Sequence, residues 1–193
     1  MNWNIFINPF KFIPEKILLL LGIITFISGC YVSFHYEMIF DGIFDAHPYP
    51  KILFSEAFTA NTVNVVIVCL LLFILGKTSN PKTRMIDILN IAFISRIPIY
   101  LTVPLSEIPV FKNIINQLLE QVKTTQAPKL ETFDIMIVLV FSSILILLLV
   151  YSIVLLVKGF RTAANCKKTQ QFILLALFIF IAELLSKWII SLM

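Results

Sequence analysis

The stretch IDILNIAFISRIPIYLTVPLS, residues 86–106, decides the fold class of this chain. It is apolar over the roughly 20 residues that a helix needs to cross a hydrocarbon core about 30 Å thick. Arg96 lies near its centre, where a charge costs about 3 kcal/mol on insertion scales and normally faces the interior of a helix bundle with a partner. Pro98 and Pro104 each lack a backbone donor, so we expect both to interrupt the helix. The pattern predicts a central membrane span around which other helices pack.

The composition of the whole chain is typical of a membrane protein. Of its 193 residues, 59% are hydrophobic and 13% are charged, whereas a soluble domain is about 45–50% apolar and about 25% charged. Five runs are long enough to span a bilayer, and they lie at about 16–34, 60–76, 86–106, 134–157 and 171–192. We therefore predict an all-α polytopic transmembrane bundle of five spans. Residues 1–193 are expected to form a single membrane domain with no separate soluble domain.

The loops on one side of these spans hold most of the basic residues that lie outside them. These are Lys11, Lys16, Lys77, Lys82, Arg84, Lys158, Arg161, Lys167 and Lys168. Basic residues in short loops mark the cytoplasmic face, so we expect a cytoplasmic N-terminus and an outer C-terminus. The expected location is a cell membrane, of the type of the bacterial inner membrane. Within this side, Lys158, Arg161, Lys167 and Lys168 form the most basic stretch. They are predicted to contact anionic lipid or a protein partner, or else to serve only as topogenic charge.

Two connections on the other side show helical periodicity. Near 36–45, four apolar residues alternate with acids at helical spacing, and near 109–123 an apolar stripe is broader. Both are predicted to be amphipathic outer helices. His35 and His47 lie beside the acids of the first connection, but no known ligand spacing appears, so no metal site is expected.

Candidate chemistry is otherwise sparse. The sequence has no Gly-rich phosphate loop, HExxH motif or serine elbow, so we expect no catalytic residue, no cofactor and no enzymatic activity. Its three cysteines do not form a CxxC pair. Cys30 ends a stretch that imitates a lipoprotein signal; because four spans follow it, we favour an unprocessed cysteine and leave processing open. Nucleic acid is not an expected partner, whereas the lipid bilayer and a second copy of the chain are.

Polar residues inside the spans predict how the helices dock. Arg96 lies roughly 15 Å from the inner end of the third span, and Glu183 lies roughly 18 Å from the inner end of the fifth, which runs in the same direction. This depth match predicts an intramembrane pair, Arg96 with Glu183. A local i,i+4 pair between Glu183 and Lys187 is the rival. Asn61 and Asn64 share one helix face and are expected to hydrogen-bond to a neighbouring helix.

The arrangement resembles the Yip family of Ypt/Rab-interacting membrane proteins, in its short bacterial branch. The resemblance rests on NPFK at 8–11, SRIP at 95–98 and VKGFR at 157–161, which precedes the final span, together with the five-span topology. It implies a membrane-organising or trafficking adaptor. The chain does not contain the family's Asp-Leu-x-Gly-Pro motif, so the resemblance does not extend to binding a Rab-type GTPase.

Two functions follow from these observations. The favoured one is a non-enzymatic membrane-organising or adaptor protein. The alternative is a small transporter or permease subunit with a polar site around Arg96 and Glu183, in which Asn90 and Tyr100 would line the cavity.

Overall fold

The structure, a computed structural model, describes residues 3–123, 131–166 and 168–193. Within these ranges the regular secondary structure is helical apart from one pair of two-residue strands. In chain order the elements are α1 (Asn4–Ile7), α2 (Pro9–Phe12), α3 (Glu15–His35), β1 (Met38–Ile39), β2 (His47–Pro48), α4 (Phe54–Ser79), α5 (Met85–Ile94), α6 (Ile97–Ser106), α7 (Pro109–Lys123), α8 (Thr132–Ala164) and α9 (Thr169–Ile190).

Five helical segments are long and apolar enough to cross a membrane. They are α3, α4, the α5–α6 pair taken together, α8 and α9. The predicted all-α bundle with five spans is thereby confirmed, and each observed segment contains or closely matches a predicted run. The predicted helix near 109–123 is also present, as α7. It packs against α8, where Phe111 stacks on Phe141 with ring centroids 5.0 Å apart.

The third span is broken where the prolines begin. α5 ends at Ile94, Ser95 and Arg96 form a turn, and α6 begins at Ile97. Pro98 is the second residue of α6, where a missing backbone donor leaves no hydrogen bond unmade. Pro104 lies inside α6 and does not break it, so that prediction was wrong. Helical hydrogen bonding continues past Pro104, since the N–H of Glu107 at the helix end donates to the Val103 carbonyl at 3.2 Å.

The broken span is the most deeply packed of the five. In its most apolar window 61% of residues are buried, against 44% for α4 and 6% for α8. α5 and α6 lie between α3 and α8, while α4 packs against α3 and α5 on one side and α9 on another. α9 therefore docks chiefly on α4, not on the third span as its predicted pair with Arg96 had required. A close approach fixes α3 to α6, since a Cβ on Gly29 would lie 2.5 Å from the Tyr100 ring.

Residues 36–53 form no helix, so the amphipathic helix predicted near 36–45 was wrong. The segment instead folds as a hairpin-like loop in which β1 pairs antiparallel with β2. We call residues 36–53 the inserted loop, because its apolar side chains enter the bundle. Phe40 has no exposed surface and Ile43 is 2% exposed. Side chains of the surrounding helices bind this backbone and replace the internal hydrogen bonds of a helix.

Charged residues define the two ends of the bundle. At one end of the bundle α3, α5 and α9 begin and α4 and α8 end. We call this end the basic end. A hydrogen-bonded ion pair between Arg84 and Glu15 joins two of these helix ends directly. α8 ends there at Asn165, which adopts the left-handed conformation with φ of 50°. The inserted loop and α7 lie at the opposite end.

Candidate functional site

Arg96 is buried at the break between α5 and α6, with 1% of its surface exposed. Its Nε donates to the Tyr100 hydroxyl at 3.1 Å. One terminal nitrogen reaches the carbonyls of Gly42 and Ile43 at 3.4 Å each, and the other reaches Asn61 Oδ1 at 3.4 Å. Contacts of 3.4 Å are longer than the usual hydrogen bond of about 2.9 Å and are individually weak. The guanidinium is thus solvated by several groups of its own chain.

Two aromatic rings complete the environment of the guanidinium. The Arg96 Cζ lies 5.3 Å from the Tyr100 ring centroid and 5.8 Å from that of Phe40. These rings meet each other edge to face with centroids 5.2 Å apart. A cation within about 6 Å of an aromatic face is attracted by the ring quadrupole, most strongly where water is absent. Backbone and side-chain dipoles and two aromatic faces therefore stabilise the Arg96 charge, where the sequence analysis had predicted the carboxylate of Glu183.

Glu183 binds the same loop from α9. Its Oε2 accepts hydrogen bonds from the backbone N–H groups of Ile43 at 2.7 Å and Phe44 at 3.2 Å. Its Oε1 lies 3.5 Å from Lys187 Nζ, so the predicted local pair with Lys187 is present. The predicted direct pair with Arg96 was wrong: both residues are described, and no ion pair within 4 Å joins them. Lys187 also binds Asp45, at 2.7 Å.

Two further contacts hold the loop in place. Asn64 of α4 donates through Nδ2 to the Phe40 carbonyl. At Gly42 an added Cβ would lie 2.1 Å from Glu183 Oε1, so only glycine lets the carboxylate approach this closely. The asparagine pair does reach across the bundle as expected, but Asn64 bonds a loop, not a helix. The sequence analysis did not predict the loop, because the spacing of its apolar residues is that of a helix. Gly42, in the middle of that spacing, is the one residue that argued against a helix.

The outer carboxylates of the inserted loop respond to its packing in opposite ways. Burial raises the pKa of Asp41 above its usual range, although His47 Nδ1 lies 3.2 Å from its Oδ1 and opposes the shift. Asp45 is also partly buried, which alone would raise its pKa. The hydrogen bond and charge of Lys187, with the Ala46 N–H, outweigh burial and hold the pKa of Asp45 below its usual range.

The basic residues singled out by the sequence lie at or near the end of α8 and the start of α9. Lys158 is half-buried, whereas Arg161 and Lys168 are exposed. Lys167 lies outside the described residues. Within the ranges that the structure describes, neither Arg161 nor Lys168 takes part in an ion pair. Cys30 is fully buried inside the unbroken helix α3.

A polar cavity at the basic end was not predicted. It measures about 350 Å³ and lies between α2, α3, α5 and α8. Arg84, which bridges Glu15 and Asp87, lines it together with Asn90. Asn90 Nδ2 donates to the Glu15 carbonyl at 3.2 Å, while its Oδ1 has no partner in the described structure. The Asn90 that sequence reasoning placed beside Arg96 lines this separate cavity instead. Among the described residues, no group of His, Cys, Asp and Glu side chains is placed to hold a metal ion.

Comparison with known proteins found no family model that matches the chain, and neither curated proteins nor solved structures gave a significant match.

Proposed function

We propose that this membrane protein acts as a non-enzymatic organiser or adaptor, as its resemblance to the Yip family implies. One observation carries the proposal: the buried polar centre serves the protein's own fold. All the hydrogen bonds of Arg96 go to groups of this chain, and Glu183 binds the backbone of the same loop. Intramembrane charges are functional candidates by default, but the Arg96 guanidinium is buried and enclosed by groups that hold the inserted loop, which favours a structural role over substrate binding.

The alternative function, a small transporter or permease subunit, needs space beside Arg96 and Glu183. Phe40 and the backbone of residues 42–44 fill that space. A substrate could bind there only if the inserted loop moved out and surrendered its bonds to Arg96, Asn64 and Glu183. The geometry therefore favours the adaptor over the transporter.

Lateral surfaces suit contacts with lipid or with other membrane proteins. From residue 132 to residue 151 of α8 no residue is buried, and Leu139, Ile146 and Leu147 are 62–66% exposed. Without a hydrophobic driving force between helices in lipid, such a face either meets acyl chains or packs on another helix. The exposed basic end adds a charged surface that a partner on that side of the membrane can reach. The predicted orientation places that side in the cytoplasm.

Crosslinking in the native membrane, followed by purification in mild detergent, tests the proposal. We expect one partner at stoichiometric amounts, lost when Lys167 and Lys168 are both changed to Gln. The matched control is Lys16→Gln with Lys82→Gln, which removes the same charge from the same end and should keep the partner. Recovery of the bare protein in every case would contradict the adaptor function.

A second experiment separates the two functions at Arg96. If Arg96 is structural, Arg96→Gln should lower the amount of protein that accumulates in the membrane. If Arg96 forms a substrate site, the variant should accumulate normally and lose solute flux in liposomes. That second result would replace the adaptor by the transporter.

A further inference from the structure

An apolar groove runs between α8 and α9 on the lipid-facing side of the bundle. Both helices pack on α4 and leave between them a space of about 290 Å³. Its walls are Ile153 and Val157 from α8, and Phe172, Ala176 and Ile179 from α9. These side chains offer no hydrogen-bonding group, so the groove suits a hydrocarbon chain.

The groove extends through about half of a bilayer. Phe172 is the fourth residue of α9 and Ile179 the eleventh, which places them about 5 Å and about 15 Å from the start of that helix. Val157 and Ile153 lie about 10 Å and about 16 Å from the end of α8. Because a hydrocarbon core is about 30 Å thick, this depth corresponds to a single leaflet. Phe44 of the inserted loop lines the groove and reaches it from the opposite end of the bundle.

Both walls lead to a basic residue at the shallow end. On α8, Ile153, Val157 and Arg161 follow one another at intervals of four, so they share one face of the helix. On α9, Lys168 precedes Phe172 by the same interval and immediately precedes the helix. The N-terminus of α9 adds the positive end of its dipole at this level. Arg161 and Lys168 are exposed and, within the described ranges, have no ion-pair partner, so their charges are available to an anion.

We propose that this groove binds one anionic phospholipid from the leaflet at the basic end. An acyl chain lies between Ile153, Val157 and Ala176, and Arg161 and Lys168 hold the phosphate. A neutral apolar ligand would not use the two cations, and a zwitterionic lipid carries its own ammonium beside the phosphate, which the same cations repel. The combination of an apolar groove about one leaflet deep with two exposed cations at its mouth therefore favours an anionic lipid. This inference goes beyond the adaptor function and does not depend on it.

Native mass spectrometry of the purified full-length protein tests the lipid site. The protein in mild detergent is mixed with equal amounts of phosphatidylglycerol and phosphatidylcholine of the same acyl chains. We expect one retained phosphatidylglycerol, favoured over phosphatidylcholine by about 25-fold, since each of the two basic residues near the headgroup contributes about a fivefold effect. Equal retention of the two lipids by the unaltered protein would overturn the proposal.

Two sets of variants divide the site into its parts. Arg161→Gln with Lys168→Gln should bring the preference to about one while a lipid is still retained, and Lys16→Gln with Lys82→Gln should leave the preference unchanged. Ala176→Trp fills the groove and should abolish retention of either lipid. Leu177→Trp, at the adjacent position that is 51% exposed and does not line the groove, should not.

Either of two results overturns the site: an unchanged preference in the Arg161/Lys168 variant, or undiminished retention in Ala176→Trp. Circular dichroism of each variant shows whether it has folded. Because Arg161 and Lys168 are exposed, their variant gives a decisive answer even if Ala176→Trp is unstable. All measurements use the purified protein alone, so they can fail or succeed whatever the outcome for a protein partner.

Discussion

Arg96 and Glu183 bind opposite hydrogen-bonding groups of one short backbone segment and do not pair with each other. Arg96 donates to the carbonyls of Gly42 and Ile43, and Glu183 accepts from the N–H groups of Ile43 and Phe44. Irregular backbone is tolerated at membrane depth only where protein satisfies its polar groups. Arg96 and Glu183 provide hydrogen-bond partners for these backbone groups. In doing so they join the broken third span to α9 through the inserted loop.

Replacement of Arg96 by Gln should destabilise the protein strongly. The loss leaves buried carbonyls of the inserted loop without a donor, at about 1–3 kcal/mol for each unpaired group. We expect thermal unfolding in detergent, followed by circular dichroism, to show a Tm lower by about 5–10 °C. The Tm of Arg96→Lys should lie between those of Arg96→Gln and the unaltered protein, because an ammonium keeps the charge but cannot reproduce the planar fork of donors.

Lys82→Gln is the control for that experiment. Lys82 is an exposed basic residue of the same protein and lies outside the proposed lipid site, so its loss should change Tm by no more than about 1 °C. Equal Tm values for Arg96→Gln and the unaltered protein would contradict the structural role of Arg96.

The number and position of the five spans could be predicted from the sequence, because the length of each apolar run determines them. Each span is a run of about 20 apolar residues, and length alone identifies such a run. The break in the third span was also predictable, because Pro98 makes a helix start there. Pro104 has the same chemistry but lies near the end of α6, where little helix remains to be broken. Sequence composition does not distinguish these two positions.

Only part of the candidate site was predictable: Arg96, Tyr100 and Glu183 belong to it, whereas Asn90 lies elsewhere and the inserted loop was missed. Depth along the helices correctly brought Arg96 and Glu183 to one region. Their contact could not be predicted, because it depends on the inserted loop, whose Phe40 and Ile43 repeat at the interval of a helix. A loop becomes preferable to a helix only when side chains from elsewhere bond its backbone. Such bonds depend on the tertiary structure. One of them is donated by Asn64 to the carbonyl of Phe40, 24 residues earlier in the chain.

A double-mutant cycle at Gly42 and Glu183 tests the close approach between them. A Cβ at position 42 would lie 2.1 Å from Glu183 Oε1, so Gly42→Ala must displace the carboxylate and its two hydrogen bonds. Glu183→Ala loses the same bonds directly. We therefore expect the double variant to be less destabilised than the sum of the single variants, by about 1 kcal/mol or more.

Chemical or thermal unfolding of all four proteins gives the coupling free energy of this cycle. Gly76→Ala with Glu183→Ala provides a comparison, because a Cβ at position 76 would meet Thr83 at the basic end and touches neither Glu183 nor the Arg96 network. Those two changes should add. Additive effects at Gly42 and Glu183 as well would show that the carboxylate does not rest on the loop backbone.

Ser152 should contribute measurably to the stability of the broken span. Its hydroxyl donates to the carbonyl of Ser95, inside the turn between α5 and α6, and both residues are buried. Interhelical hydrogen bonds of this kind in membranes average about 0.6 kcal/mol and reach about 1.7 kcal/mol. Ser152→Ala should therefore lower Tm by about 2–5 °C. Ser143→Ala is the control, because Ser143 is exposed and bonds the Leu139 carbonyl of its own helix. Equal Tm values for the two variants would contradict the assignment.

Asp41 and Asp45 should have opposite effects on stability as the pH changes. Burial raises the pKa of Asp41 above its ordinary value of 3.8 in the folded protein, so its charged form costs stability at neutral pH and the cost vanishes as pH falls towards 3.8. Asp45 has a lowered pKa because Lys187 binds it, despite the partial burial that opposes this shift. It therefore adds stability that persists at pH 4 and is lost only as pH falls through that lowered pKa.

Asn substitutions separate these two contributions. Asp41→Asn removes the partly buried charge and should raise Tm at pH 7, and the gain should fade as the pH falls towards 3.8 because the raised pKa lets Asp41 take up a proton more readily in the folded protein. Asp45→Asn removes one carboxylate partner of Lys187 and should lower Tm at pH 7 and at pH 4 alike. Lys187→Gln should lower Tm by at least as much, because it removes the contacts with both Asp45 and Glu183. A fall in Tm at pH 7 for Asp41→Asn would show that its contact with His47 outweighs the cost of burying its charge.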